Sequence, residues 1–225
     1  MRRTLVVERK GGRIYLKIKG DTVHSLSIYD PTKVFVGGVW DYLGVLPAIN
    51  NSKKVLLIGV AGGTVTRIIF HCFRNIKVDG VDNDKRVIEI GKKYFHLGHR
   101  NLKIHISDAE RFLKKSKATY DLILQDAFVG TEIPKRLTTP AFFGLVKSHL
   151  NKGGILAVNL LTTQKILDYA FRLVNYFTNV YVLVPYHGTG NIIVIASDSV
   201  PDFSKLSRFK VLKDTFEIRK FNSSV

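Results

Sequence analysis

The chain has little cysteine, few acidic residues and no long hydrophobic run. Its single cysteine, Cys72, cannot form an internal disulfide, which is typical of a protein from a reducing compartment. No apolar stretch reaches the roughly 18–20 residues of a membrane-spanning helix, and the basic start Met1-Arg2-Arg3 runs directly into a short apolar segment rather than a signal-peptide core. We therefore expect a cytoplasmic protein without a membrane segment.

Acidic residues are outnumbered by basic ones. There are 18 Asp and Glu against 35 Lys and Arg, which gives a formal net charge of +17 over 225 residues. Such a charge produces a positive field that favours anionic partners, nucleic acid among them. A solvated basic surface that only keeps the protein soluble would explain the same net charge. The composition leaves both readings open, together with the oligomeric state.

The first part of the chain differs from the rest. Apolar strands over residues 5–7 and 14–18 flank the pair Gly11-Gly12, which predicts a β-hairpin, and a third strand is predicted over residues 23–29. We treat residues 1–33 as a basic β flap, residues 34–200 as the main domain and residues 201–225 as a basic tail of uncertain structure. A helix is predicted over residues 34–49, with Asp30-Pro31-Thr32 as its start signal.

Beyond residue 53, apolar strands alternate with amphipathic helices, and two final strands are joined too closely for a parallel crossover. This order predicts an α/β, Rossmann-like class I methyltransferase fold: a mostly parallel seven-stranded sheet that ends in an antiparallel hairpin. The predicted strands cover residues 55–58, 76–81, 102–106, 120–124, 155–160, 180–184 and 191–196, and the predicted helices cover residues 64–73, 84–95, 109–115, 139–150 and 164–177.

Small and acidic residues follow four consecutive predicted strands. A glycine-rich turn, Gly59 to Gly63, connects the first of these strands to its helix, where a ligand can approach the backbone. Asp82 ends the next strand, where a carboxylate can accept both hydroxyls of a ribose. Asp108 follows the third strand and Asp126 the fourth. Because the carboxyl ends of the strands in an open α/β sheet form the ligand crevice, these residues together predict a nucleoside site.

The same stretches resemble the spermidine synthases and their spermidine-synthase-like relatives, over roughly residues 22–197. The resemblance is carried by residues 55–67 (VLLIGVAGGTVTR), residues 81–84 (VDND) with the helix that follows, residues 107–109 (SDA), residues 120–128 (YDLILQDAF) with Ile133-Pro134, and residues 153–159 (GGILAVN). It implies a polyamine aminopropyltransferase of the S-adenosylmethionine-dependent methyltransferase superfamily.

The resemblance also implies roles for individual residues. The donor is decarboxylated S-adenosylmethionine or S-adenosylmethionine, bound without a metal and used with a small-molecule amine acceptor. Asp126 is the implied catalytic residue, next to the reacting amine. The implied donor-binding residues are Gly59, Ala61, Gly62, Gly63, Asp82, Asn83, Asp108, Ala109 and Asp126.

The sequence also departs from the family pattern. Polyamine-making members carry a second acid three residues after the first, where this chain has Val129, and an aspartate in the glycine loop, where it has Gly62. His24 replaces a glutamine, and the late loop at residues 184–190 lacks a tryptophan. These changes remove cation-binding carboxylates from the acceptor site. Asp41 and Glu132 are candidates to replace one of them.

Two other functions stay open at this point. One is a methyltransferase that holds nucleic acid through cations of the flap, and the other is a non-catalytic nucleoside- or nucleic-acid-binding relative. We interpret His96, His99 and His105 as surface histidines rather than metal ligands, and Trp40 with Tyr42 as buried packing.

Overall fold

The computed structural model describes residues 4–20, 24–161, 166–186 and 190–221, in two β-sheets and the helices that cover the larger one. The smaller sheet contains three antiparallel strands in the order β1-β2-β3: β1 (Leu5–Lys10), β2 (Arg13–Ile18) and β3 (Ser27–Tyr29). The predicted hairpin is present, and residue 23, the predicted start of the third strand, lies outside the described residues.

Among the described residues, the larger sheet has eight strands in the order β11-β9-β10-β8-β7-β4-β5-β6. The five strands from β8 to β6 are parallel, and β9, β10 and β11 are antiparallel to their neighbours. The strands are β4 (Lys54–Ile58), β5 (Lys77–Asp82), β6 (Leu102–Ile106), β7 (Tyr120–Gln125), β8 (Leu150–Leu161), β9 (Asn179–Pro185), β10 (Asn191–Ser197) and β11 (Phe216–Lys220).

In the part of the chain that the structure describes, six α-helices accompany these strands, and apolar layers lie on both faces of the sheet. The helices are α1 (Val39–Val45), α2 (Thr64–Cys72), α3 (Lys85–Tyr94), α4 (Ala109–Lys115), α5 (Pro140–Ser148) and α6 (Ile166–Leu173). Both faces of β4 are covered, which explains why Val55, Leu56, Leu57 and Ile58 form a continuous apolar run. The predicted fold class is confirmed, including the antiparallel hairpin of β9 and β10.

Two features differ from the sequence-based expectation. Strand β11, within the predicted tail, pairs with β9 and adds an eighth strand to the sheet. Helix α1 begins at Val39 rather than at residue 34, because the Asp41 carboxylate accepts hydrogen bonds from the backbone N–H groups of Val36 (2.9 Å) and Gly37 (2.8 Å) and holds them in an irregular turn. Asp30, the expected start signal, instead closes a turn with Thr32.

None of the helices within the described ranges has the length and apolar character needed to cross a membrane.

Candidate functional site

Polar and small residues lie side by side along the carboxyl-terminal rim of the large sheet. The strand order fixes their sequence along that rim, because neighbouring strands are about 4.8 Å apart. From one end to the middle, the order is Asp108 after β6, Asp82 at the end of β5, Gly59 after β4 and Asp126 after β7. Asn159 near the end of β8 and Asn191 at the start of β10 continue the row.

A cavity of about 660 Å³ lies over this rim, and Asp82, Asp108 and Asp126 all line it. Its volume is within the range of small-molecule sites. The small N-terminal sheet forms one wall, to which Tyr15 and Lys17 contribute. The three carboxylates that the sequence singled out thus face a single space.

Asp82 is bound to the glycine-rich loop. Its Oδ2 accepts hydrogen bonds from the backbone N–H groups of Val60 (3.1 Å) and Ala61 (3.0 Å), and its Oδ1 accepts one from Asp84 N–H (3.0 Å). Burial raises the pKa of Asp82, and these three hydrogen bonds oppose the rise because they stabilise the ionised form. Asp82 therefore fixes the loop and contributes a carboxylate to the cavity.

Gly59 joins the loop to the end of β7. Its φ of +91° favours glycine, and a Cβ at this position would lie 2.3 Å from the carbonyl oxygen of Asp126. The backbones of β4 and β7 are held together here, since Asp126 N–H donates to Ile58 O at 2.8 Å. The glycine therefore allows the loop to pass directly beside the backbone of Asp126.

Gly62 and Gly63 are not among the residues that line the cavity, unlike Gly59 and Ala61. Gly62 N–H donates to Ser27 Oγ at 2.7 Å, and a Cβ on Gly62 would lie 2.8 Å from Ser27 Cβ. A Cβ on Gly63 would lie 2.6 Å from the Leu97 side chain. These two glycines pack against protein and do not line the cavity, and their role in donor binding stays a prediction. Ser27 occupies the space that an aspartate in place of Gly62 would need.

Asp108 combines two functions. It is the N-cap of α4, where its Oδ1 accepts a hydrogen bond from Arg111 N–H at 3.1 Å, and its Oδ2 forms an ion pair with Arg136. Ala109 and Asn83 line the cavity beside it. Arg136 belongs to the segment after β7 and also lines the cavity, but no sequence pattern distinguished it from other surface arginines.

Asp126 is part of a chain of side-chain hydrogen bonds. Asn159 Nδ2 donates to Asp126 Oδ1 at 2.7 Å, and Asn191 Nδ2 donates to Asn159 Oδ1 at 2.9 Å. Burial raises the pKa of Asp126 to about 7, while the hydrogen bonds from Asn159 and the Trp40 indole act in the opposite direction. A carboxyl group with this pKa can hold or release a proton near neutral pH.

Besides Arg136, three residues of this site are absent from the sequence-based prediction. Trp40 was interpreted as packing only, but it lines the cavity as well as contacting the core, and its indole bonds to Asp126. Asn159 and Asn191 also line the cavity. The sequence does contain a signal for Asn159, because it is an asparagine at the end of an apolar strand. Its side chain is 2% exposed, and burial of an amide without hydrogen-bond partners is unfavourable.

The two candidate replacement acids do not occupy the acceptor region. Asp41 is buried against the backbone of residues 36 and 37, and neither Asp41 nor Glu132 lines the cavity. Glu132 is exposed and forms a backbone bridge with Val129. The prediction that Asp41 or Glu132 replaces the missing carboxylate of the acceptor site is therefore wrong.

The histidines noted in the sequence have separate partners. His105 Nε2 lies 3.0 Å from Asp79 Oδ1, the His99 ring stacks on Phe70 at 3.9 Å, and the His96 ring lies 5.1 Å from that of Tyr29. Within the part of the chain that the structure describes, no group of three His, Cys, Asp or Glu side chains is placed to hold a metal ion.

Comparisons with known proteins agree with this architecture. A polyamine aminopropyltransferase of Vibrio vulnificus is 30% identical over 157 residues, which cover 67% of this chain and 52% of that protein. The chain therefore spans about half the length of this relative. A polyamine aminopropyltransferase of Chromobacterium violaceum is 25% identical over 217 residues, which cover 95% of this chain and 83% of that protein.

Among solved structures, a probable spermidine synthase from Corynebacterium glutamicum matches with a TM-score of 0.77 at 18% identity, over 98% of this chain and 88% of the other. This likeness shows a shared fold. The spermine/spermidine synthase domain matches residues 43–201, a region that contains β4 to β10 and the cavity residues Asp82, Asp108 and Asp126. The chain belongs to the spermine/spermidine synthase family.

Proposed function

We propose that the protein transfers an aminopropyl group from decarboxylated S-adenosylmethionine to an amine acceptor. The observation that carries this proposal is the order of Asp108, Asp82, Gly59 and Asp126 along one rim, beneath one cavity. The names of the relatives support the same activity.

The order of the residues suggests how the donor binds. The adenine lies next to Asp108 and Ala109, the ribose hydroxyls bond to Asp82, and the sulfonium lies above Gly59, between Asp82 and Asp126. Asp108 and Asp126 are separated by three strand spacings, or about 14 Å, which suits an adenosine with a short chain on its sulfur. The aminopropyl carbon bonded to sulfur then faces Asp126.

The reaction is a displacement at that carbon. The lone pair of a neutral amine nitrogen forms the new C–N bond, the C–S bond breaks, and its electron pair goes to sulfur, leaving a neutral thioether and an ammonium that must lose a proton. Because the sulfonium is already an activated leaving group, the protein mainly aligns the two reactants.

Asp126 supplies the groups that this alignment needs. An alkylamine is protonated at neutral pH, since its pKa is about 10. The carboxylate of Asp126 attracts the ammonium, accepts its proton and orients the lone pair toward the donor, while Asn159 and Trp40 hold the carboxylate in place. We also propose the cytoplasm as the working compartment, which the single cysteine supports.

The test is an assay of the full chain with decarboxylated or intact S-adenosylmethionine and a panel of primary amines. We expect release of 5′-methylthioadenosine from the decarboxylated donor, together with an aminopropylated amine detected by mass spectrometry. Turnover of intact S-adenosylmethionine to S-adenosylhomocysteine would favour the methyltransferase alternative. Nucleoside binding without turnover of any amine would refute the proposed activity.

A further inference from the structure

The cavity extends past Asp126, and the charge of its walls changes there. Asp82, Asp84 and Asp108 line the cavity at the ends of β5 and β6. These strands lie on the side of Gly59 where the adenosine of the donor is proposed to bind. On the other side, over β7, β8 and β10, Asp126 is the only carboxylate among the described residues of the lining.

The walls around Asp126 are mostly apolar or aromatic. Phe128 and Val129 line the cavity from the segment after β7, Trp40 lines it from α1, and Leu161 from the end of β8. Val129 is 57% exposed, so it presents its side chain to the open space rather than to the core. An acceptor that extends from Asp126 would lie against these side chains.

The N-terminal sheet adds a positive charge to the cavity. Lys17 of β2 lines the cavity, and its Nζ forms an ion pair with Glu8 Oε2 at 2.9 Å. Glu8 does not line the cavity. The wall formed by β1 and β2 therefore offers a cation that is already partnered, and no carboxylate from these two strands faces the space.

The charges favour an acceptor with one cationic nitrogen. Asp126 can hold one ammonium, but the second ammonium of a diamine would be moved from water to apolar walls without a counter-ion. Loss of hydration by a charge that gains no partner is unfavourable. The body of a monoamine would instead bury its apolar surface against Phe128 and Val129, which is favourable.

Building on the proposed aminopropyl transfer, we infer that the acceptor is a primary monoamine with an apolar body, rather than an α,ω-diamine. Its nitrogen binds Asp126 and its hydrocarbon part lies against Trp40, Phe128 and Val129.

The first test compares two acceptors of equal chain length, butylamine and butane-1,4-diamine, each with decarboxylated S-adenosylmethionine and the full chain. Because the second ammonium of the diamine would have no counter-ion, we expect kcat/KM to be at least about tenfold higher for butylamine than for butane-1,4-diamine. A diamine used as well as the monoamine, or better, would overturn this inference while leaving aminopropyl transfer intact. Failure of both amines, and of the wider amine panel, would instead refute the proposed function.

The second test restores a carboxylate on the acceptor side. Val129→Asp should shift the ratio of kcat/KM toward butane-1,4-diamine by about tenfold, because the new carboxylate can pair with the second ammonium. Val129→Asn, which has nearly the same shape without the charge, is the matched control and should leave the ratio within about twofold. Circular dichroism would verify that both variants are folded. An unchanged ratio in folded Val129→Asp, or equal shifts in both variants, would refute this placement of the acceptor.

Discussion

Asn159 Nδ2 donates a hydrogen bond of 2.7 Å to Asp126 Oδ1, and Asn159 Oδ1 in turn accepts one from Asn191. The first bond stabilises the ionised form of a carboxyl group whose pKa burial raises to about 7. Asn159 thus holds the Asp126 carboxyl group in place and lowers its pKa.

This relationship predicts a pH dependence. The proposed reaction needs ionised Asp126, so kcat/KM should fall as the pH drops through about 7. Asn159→Ala removes a hydrogen bond that lowers the pKa of Asp126, and should move this acidic limb to higher pH. The acceptor amine titrates identically in both proteins, so comparison of their pH profiles of kcat/KM isolates Asp126. Profiles that superimpose after scaling would show that Asn159 has no such effect.

A second prediction separates donor binding from transfer. Asp82→Asn should weaken the binding of 5′-methylthioadenosine by about tenfold to a hundredfold, because it removes a charge-assisted hydrogen bond to the ribose. Asp126→Asn should leave that affinity within about threefold and abolish aminopropyl transfer. Isothermal titration calorimetry and the transfer assay measure the two effects. Equal losses of affinity in both variants would contradict the assigned roles.

A third prediction concerns Gly59. Replacement by alanine should reduce the free energy of unfolding by at least about 2 kcal/mol, because a Cβ would lie 2.3 Å from Asp126 O and φ is +91°. Gly144, inside α5, is the matched control: it is exposed, and a Cβ there meets no atom within 4 Å. Gly144→Ala should stabilise the protein by about 0.5–1 kcal/mol through helix propensity. Urea denaturation measures both, and similar effects at the two positions would contradict the close approach at Gly59.

A fourth prediction concerns the attachment of the N-terminal sheet. Hydrogen bonds from Thr32, together with those from Arg13 Nε and Lys33 N–H, lower the pKa of Asp30 to about 2. A carboxyl group whose pKa is lowered by folding stabilises the protein at pH values above its ordinary pKa of 3.8. This contribution is lost as the pH falls through about 2. Asp30→Asn should therefore lower the midpoint of urea denaturation at pH 7, and the difference from the wild type should shrink toward pH 3.

Glu89→Gln is the control for this experiment. Glu89 pairs with Lys85 at 3.5 Å on the exposed surface of α3, so its loss should have almost no effect at any pH. A difference between wild type and Asp30→Asn that stays constant from pH 7 to pH 3 would show that the charge of Asp30 is not what stabilises the turn.

Much of the large sheet was predictable because its signals are local. The apolar run of β4 and the short link between β9 and β10 each predict one element, and the structure contains both. The start of α1 was not predictable from periodicity, because the apolar residues at 34–36 fit a helix while the Asp41 carboxylate binds their backbone in a turn. Strand β11 was missed because a short edge strand with only two residues packed on the core, Phe216 and Ile218, has little apolar pattern.

The sequence by itself determined the α/β fold and the position of Asp82, Asp108 and Asp126 at strand ends, since parallel strands bring their carboxyl ends to one edge. Only the tertiary structure decided that Arg136 pairs with Asp108, that Trp40 and Asn159 hold Asp126, and that Gly62 packs on Ser27. These contacts join residues from separate elements, and their geometry depends on how the elements pack, which no local pattern of residues encodes.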